Sequence, residues 1–132
     1  MEKRQVLVVE DAEATRRLVE VALMIDGFDV TQCIDGASGL ETARTLHPDL
    51  IVLDIALPEM DGWDVLGHLR QDPTTRDIPV VVVTAHDTAE SRSKADFATA
   101  DAFVGKPFDL NELRSVISNL IEQYAPQSTS IP

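Results

Sequence analysis

Residues 50–53, Leu50, Ile51, Val52 and Leu53, form an unbroken aliphatic run that stops on a carboxylate, Asp54. The run is too short for a helix and lacks the alternation of a half-exposed strand, so it suits a strand buried on both faces of a parallel sheet. Residues 80–83, four valines ahead of Thr84, repeat the pattern, and residues 6–9, ahead of Glu10 and Asp11, repeat it again. An all-parallel sheet must be covered by helices on both faces, and the segments between the runs have to supply them.

Ala14, Leu18, Val21, Ala22 and Ile25 recur at helical spacing before Gly27 and predict a first helix buried on that face. Residues 28–34 are less continuously apolar, as an edge strand would be. Asp35 is placed to cap a helix running to His47, with Leu40, Ala43 and Leu46 inward and Pro48 ending it. Asp61 can cap a third helix carrying Val65, Leu66 and Leu69. Asp87 and Glu90 have capping-box spacing before a polar fourth helix, which offers only Ala89, Phe97 and Ala98 for packing. Residues 101–105 read as a short fifth strand. Asp109 and Glu112 then open a last helix whose inward stripe is Leu113, Val116, Ile117, Leu120, Ile121 and Tyr124.

Five strands alternating with five helices, with no hairpin signals, predict an α/β doubly wound, flavodoxin-like (βα)5 fold. Its five-stranded parallel sheet would have the order 2-1-3-4-5. One domain over residues 1–124 is expected, followed by a disordered tail or linker start at 125–132.

Charge narrows the partners. Eleven basic against 23 acidic side chains leave a formal charge of −12 over 132 residues, which repels nucleic-acid phosphates and anionic membranes, so neither is an expected direct partner. No apolar run approaches the roughly 20 residues that span a bilayer, and a cytoplasmic protein is expected. Cys33, the single cysteine, falls in a strand-like run and reads as a buried, inert thiol.

The chemistry gathers at the strand ends. In a doubly wound sheet, ligands bind beyond the carboxyl ends of the strands where the winding reverses. Glu10 and Asp11 end the first strand, Asp54 the third, Thr84 the fourth, and Lys106 follows the fifth. Three close carboxylates must hold a proton or a cation, and an oxygen-rich cluster with room for water suits Mg²⁺, with Mn²⁺ also acceptable. Asp54 would then be an anionic nucleophile for a phosphoryl group, with Lys106 and the Thr84 hydroxyl on the phosphoryl oxygens.

The acidic pair Glu10-Asp11, the stretch from Asp54 through Pro58 and Met60 to Asp61-Gly62, Thr84-Ala85, Phe103, and Lys106-Pro107-Phe108 resemble, in order and spacing, a response-regulator receiver domain of two-component signalling. The resemblance covers about residues 5–124 and is to chemotaxis-type receivers, and a free-standing, single-domain response regulator is expected. It implies that Asp54 accepts phosphate from a histidine kinase or histidine phosphotransfer protein. It further implies that Asp11, Asp54 and the Ala56 carbonyl bind Mg²⁺, with Glu10 helping through water. Thr84 and Phe103 would be the switch pair, the Lys106–Pro107 bond would be cis, and a downstream protein would read the face made by the fourth helix, fifth strand and last helix. Ala56 and His86 occupy positions that influence phosphate loss in such domains. Two departures stand out: Thr99 replaces the usual glycine before the fifth strand, and Phe103 replaces the commoner tyrosine.

The competing reading is a phosphatase or phosphotransferase of the haloacid-dehalogenase type, which also joins a nucleophilic Asp, Mg²⁺, a hydroxyl and a Lys. Such enzymes need a general acid two residues after the nucleophile, where this chain has Ala56. The expectation is therefore a switch that catalyses only its own phosphorylation and dephosphorylation, not an enzyme acting on other substrates.

Overall fold

A computed structural model describes residues 3–85, 90, 93–94 and 99–123. The elements run β1 (Gln5–Val9), α1 (Glu13–Ile25), β2 (Asp29–Cys33), α2 (Gly36–Leu46), β3 (Leu50–Asp54), α3 (Gly62–Gln71), β4 (Val80–Thr84), β5 (Ala102–Gly105) and a last helix, α4 (Leu110–Gln123). The five strands form one parallel sheet in the order β2-β1-β3-β4-β5. The predicted fourth helix over 87–98 lies outside the described residues apart from 90 and 93–94, as do His86, Tyr124 and the tail at 125–132.

Strand alternation divides the core in two. Val6, Val8, Leu50, Val52, Val81, Val83 and Val104 face Val19 and Leu23 of α1 and Leu113, Ile117 and Leu120 of α4. Leu7, Val9, Ile51, Leu53, Val80 and Val82 face Leu40 and Ala43 of α2 and Val65, Leu66 and Leu69 of α3. Because both faces are covered, β1, β3 and β4 carry aliphatic side chains at successive positions, and β2, exposed at its outer edge, does not. Two of the predicted caps form: Asp35 accepts the Ser38 N–H at 2.8 Å and Asp61 the Trp63 N–H at 2.8 Å. Among the described residues, no helix is long and apolar enough to cross a membrane.

The first helix turns a different face inward from the one its spacing predicts. Val19, Ala22 and Leu23 are buried, whereas Ala14, Leu18, Val21 and Ile25 are exposed. Residues 18–25 contain one polar side chain, Glu20, so two apolar stripes compete and periodicity alone does not choose between them. Tertiary packing selects the stripe that meets the α4 side of the sheet, and Met24, Ile25, Val21 and Leu18 are left in solvent.

Thr99 takes a left-handed φ of 60°, a conformation costing a non-glycine residue about 1–2 kcal/mol. Arg70 of α3 holds it there. Its Nε donates to the Thr99 hydroxyl at 3.0 Å, its Nη2 to the Thr99 carbonyl and to Asp101 Oδ2 at 2.9 Å each, and its Nη1 to the Ile78 carbonyl at 2.7 Å. Asp101 Oδ2 also accepts the Val80 N–H at 2.8 Å, so one guanidinium ties the starts of β4 and β5 to α3.

The face of α1 is testable by urea unfolding. Leu23→Ala removes a side chain 1% exposed and is expected to cost about 2–5 kcal/mol. Ile25→Ser, at a position 74% exposed, is expected to stay within about 0.5 kcal/mol of the native chain.

Candidate functional site

Parallel pairing sends every strand's carboxyl end to one rim. Val9 pairs with Leu53, Asp54 with Val83 and Thr84 with Gly105, so the polar residues that end or follow these strands arrive nearly level. Backbone bonds continue the order past the strands: Glu10 N–H to the Cys33 carbonyl at 3.0 Å, Ile55 N–H to Val83 at 3.2 Å, and Lys106 N–H to Thr84 at 2.7 Å.

Glu10 and Asp54 are each 4% exposed and Thr84 is fully buried, while Asp11 is exposed. Removing a carboxylate from water costs several kcal/mol unless a charge and hydrogen bonds meet it. Lys106 Nζ donates to Glu10 Oε1 at 2.7 Å and to Asp54 Oδ2 at 3.2 Å. The remaining oxygens accept main-chain N–H groups, Asp54 Oδ1 from Ala56 at 3.1 Å and Glu10 Oε2 from Ala12 at 3.1 Å. Burial first, and the neighbouring Asp54 second, push the Glu10 carboxyl above its ordinary range despite the bonds from Lys106 and Ala12. Burial alone would pull the Lys106 ammonium down, but the combined attraction of Glu10 and Asp54 outweighs it and holds the group above the usual lysine value.

Oxygens of Glu10, Asp11 and Asp54 lie within 4.8 Å of one another. One ammonium against three ionised carboxylates leaves two negative charges in excess, which a divalent cation would offset. The donors are hard oxygens on a rim open at Asp11, a set suited to Mg²⁺, which keeps several waters and takes one or two carboxylates directly. The residues present therefore fit that ion.

Thr84 shares the sheet face of Val82, and Phe103, opposite Val82 on β5, is half-buried against the core on that face. The Lys106–Pro107 peptide is cis. Arg16 escaped the sequence reading, as did the part that Gly62 plays. Arg16 of α1 donates from Nη1 to the Glu10 carbonyl at 3.1 Å and the Asp11 carbonyl at 3.3 Å. Gly62 closes the loop after Asp54 with an N–H bond to the Ile55 carbonyl at 2.9 Å. A Cβ at Gly62 would collide with the Ile55 Cα and lie 2.7 Å from the Asp54 carbonyl oxygen, so no larger residue fits without moving the end of β3.

The family model of the response regulator receiver domain matches residues 6–118. The chain belongs to the response-regulator receiver family. It is 37% identical over 119 residues to the DNA-binding dual master transcriptional regulator RpaA of Synechocystis sp., covering 90% of this chain and 49% of RpaA. To the response regulator PleD of Caulobacter vibrioides it is 42% identical over 105 residues, 80% of this chain and 23% of PleD. The receiver thus spans half or less of the length of these relatives. Among solved structures it resembles the Francisella response regulator 1452 receiver domain, with a TM-score of 0.87 and 27% identity over 93% of this chain and 100% of that one. It also resembles the receiver domain of the Pseudomonas aeruginosa sensor histidine kinase PA1611, with a TM-score of 0.84 and 26% identity over 92% and 99% of the two chains. That structure carries a magnesium ion coordinated in its active-site cleft. Receivers are phosphorylation-dependent signalling domains rather than classical enzymes, and the acidic cluster of this one fits both Mg²⁺ and an aspartyl phosphate.

The raised Glu10 carboxyl makes the metal-free fold sensitive to pH. A carboxyl favoured in its neutral form by folding contributes stability that is complete below its ordinary value of 4.5 and is lost as pH rises through the elevated value. In a metal chelator, Glu10→Gln is therefore expected to raise the melting temperature at pH 7 and flatten its decline above pH 4.5. Thermal unfolding across pH 4–8 checks this, and a Glu10→Gln chain that melts below the native one at pH 7 contradicts it.

Proposed function

We propose that Asp54 accepts a phosphoryl group from a phosphohistidine on a sensor histidine kinase or a histidine phosphotransfer protein. The supporting observation is the placement of Asp54: buried at a strand end, bonded to the Lys106 ammonium and grouped with Glu10 and Asp11. A carboxylate oxygen of Asp54 attacks phosphorus, the P–N bond breaks, and the imidazole nitrogen leaves with the bonding pair and takes a proton from solvent. Lys106, 3.2 Å from Asp54 Oδ2, follows the negative charge onto the phosphoryl oxygens, and the Thr84 hydroxyl donates a hydrogen bond to one of them. Asp11, Asp54 and the Ala56 carbonyl would hold Mg²⁺, with Glu10 acting through water, and the bound ion would neutralise charge at the incoming group.

Ala56 presents Asp54 with a main-chain N–H and has no side chain able to move a proton. That favours an acyl phosphate retained as a signal over one turned over as a catalytic intermediate. Rearrangement of Thr84 toward the phosphate would open space for Phe103 on the same sheet face and shift β5 and the last helix between two arrangements. The charge of −12 argues that the reader of this surface is a protein rather than nucleic acid.

Intact-mass analysis after incubation with Mg²⁺ and a small acyl-phosphate donor tests the chemistry. One phosphoryl adduct is expected on the native chain and none on Asp54→Asn, with Lys106→Met slowing adduct formation by at least about ten-fold. An adduct that persists in Asp54→Asn would place the acceptor elsewhere.

A further inference from the structure

The loop between β1 and α1 carries two of the three acids, yet little of its shape is set by the usual means. Ala12, at the N-cap of α1, has no side chain to cap the helix. Arg16 ties the loop instead. Its Nη1 reaches two successive carbonyls, of Glu10 at 3.1 Å and Asp11 at 3.3 Å, while its Nε donates to Gln32 Oε1 of β2 at 2.9 Å. The neighbouring Cys33 carbonyl takes the Glu10 N–H at 3.0 Å. The edge strand brings no reactive group to the rim, but through Gln32 and Cys33 it anchors the strand end that does.

These contacts need an arginine. A planar guanidinium directs fixed donors at separate acceptors, so one arm can hold Gln32 while another spans two carbonyls; a lysine ammonium is a point charge on a flexible stem. Both loop bonds from Arg16 go to main-chain oxygens and leave the Glu10 and Asp11 carboxylates to other partners. Asp11 is exposed, so without the clamp its backbone is the part of the cluster freest to move away from Glu10 and Asp54.

We propose that Arg16, itself held by Gln32, is a positioning residue that pre-sets the Glu10-Asp11 loop for a divalent cation. The inference rests on reading the acidic cluster as a Mg²⁺ site. Two effects of Arg16 oppose each other. Its positive charge disfavours a nearby cation, whereas a loop ordered in advance spares the ordering cost on binding. A substitution that keeps the charge and loses the fork separates them.

The test is calorimetric titration of Mg²⁺ into the native chain, Arg16→Lys and Gln32→Leu, with melting temperatures in chelator and the Mg²⁺ dependence of phosphorylation measured alongside. Both variants are expected to bind Mg²⁺ roughly ten-fold more weakly, as partners one shell outside a metal's ligands commonly do. The Mg²⁺ concentration for half-maximal phosphorylation should rise by the same factor, more than the rate at saturating Mg²⁺ falls, and the chelated melting temperatures should stay near native. Native affinity in Arg16→Lys, or a loss of affinity that only follows a loss of metal-free stability, overturns the positioning role while leaving the Mg²⁺ site intact. Absence of Mg²⁺ binding by the native chain overturns both.

Discussion

The contact on which the site depends is between one ammonium and two buried carboxylates. Glu10 and Asp54 sit at the ends of strands that are otherwise mainly aliphatic, and each would be strongly unfavourable there alone. Lys106, delivered from the far side of β4, meets both. It does not neutralise the cluster, because three carboxylates face one ammonium; burial first, and Asp54 second, still hold the Glu10 carboxyl above its ordinary range. A site left short of positive charge at a wet rim is poised for a divalent cation and for the charge redistribution of phosphoryl transfer.

Parallel topology makes this arrangement possible. With all five strands pointing the same way, residues distant in sequence share one edge of the sheet, and Lys106 and Glu10 meet although 96 positions separate them. The apolar interior then fixes the strand ends. Each of β1, β3 and β4 is clamped between two helical layers, so Asp54 and Thr84 are presented at rigid strand ends, Glu10 and Lys106 follow directly on β1 and β5, and Asp11 is the exposed member of the group.

Much of this could be read from residue order alone, for identifiable reasons. Runs such as residues 50–53 and 80–83 carry too many aliphatic side chains for any setting but a two-sided interior, and that implied the parallel sheet. The polar residue after each run then located the rim. The face of α1 was ambiguous because residues 18–25 are apolar nearly all round, so only packing could decide that Leu23 enters the core and Ile25 does not. Arg16 was hidden for the opposite reason: a charged residue on a helix ordinarily reads as solvated, and nothing in its spacing announces two carbonyls within reach. Gly62 entered only as part of the stretch that carries the resemblance, and its role, the close approach of its backbone to Ile55, needs the folded loop to be seen. Thr99, noted as a departure from the usual glycine, keeps the left-handed backbone and draws on Arg70 to hold it.

The central claim is that the three acids form one cation site at the end of β3, short of charge despite Lys106. The most direct measurement is a Mg²⁺ titration of the isotopically labelled chain followed by amide chemical shifts. Shifts confined to residues 10–12 and 54–56 and the adjoining ends of β4 and β5, saturating at one ion per chain, are the result this account predicts. Unmoved amides at Asp11 and Asp54, or changes spread over the acidic surface without saturation, would contradict it.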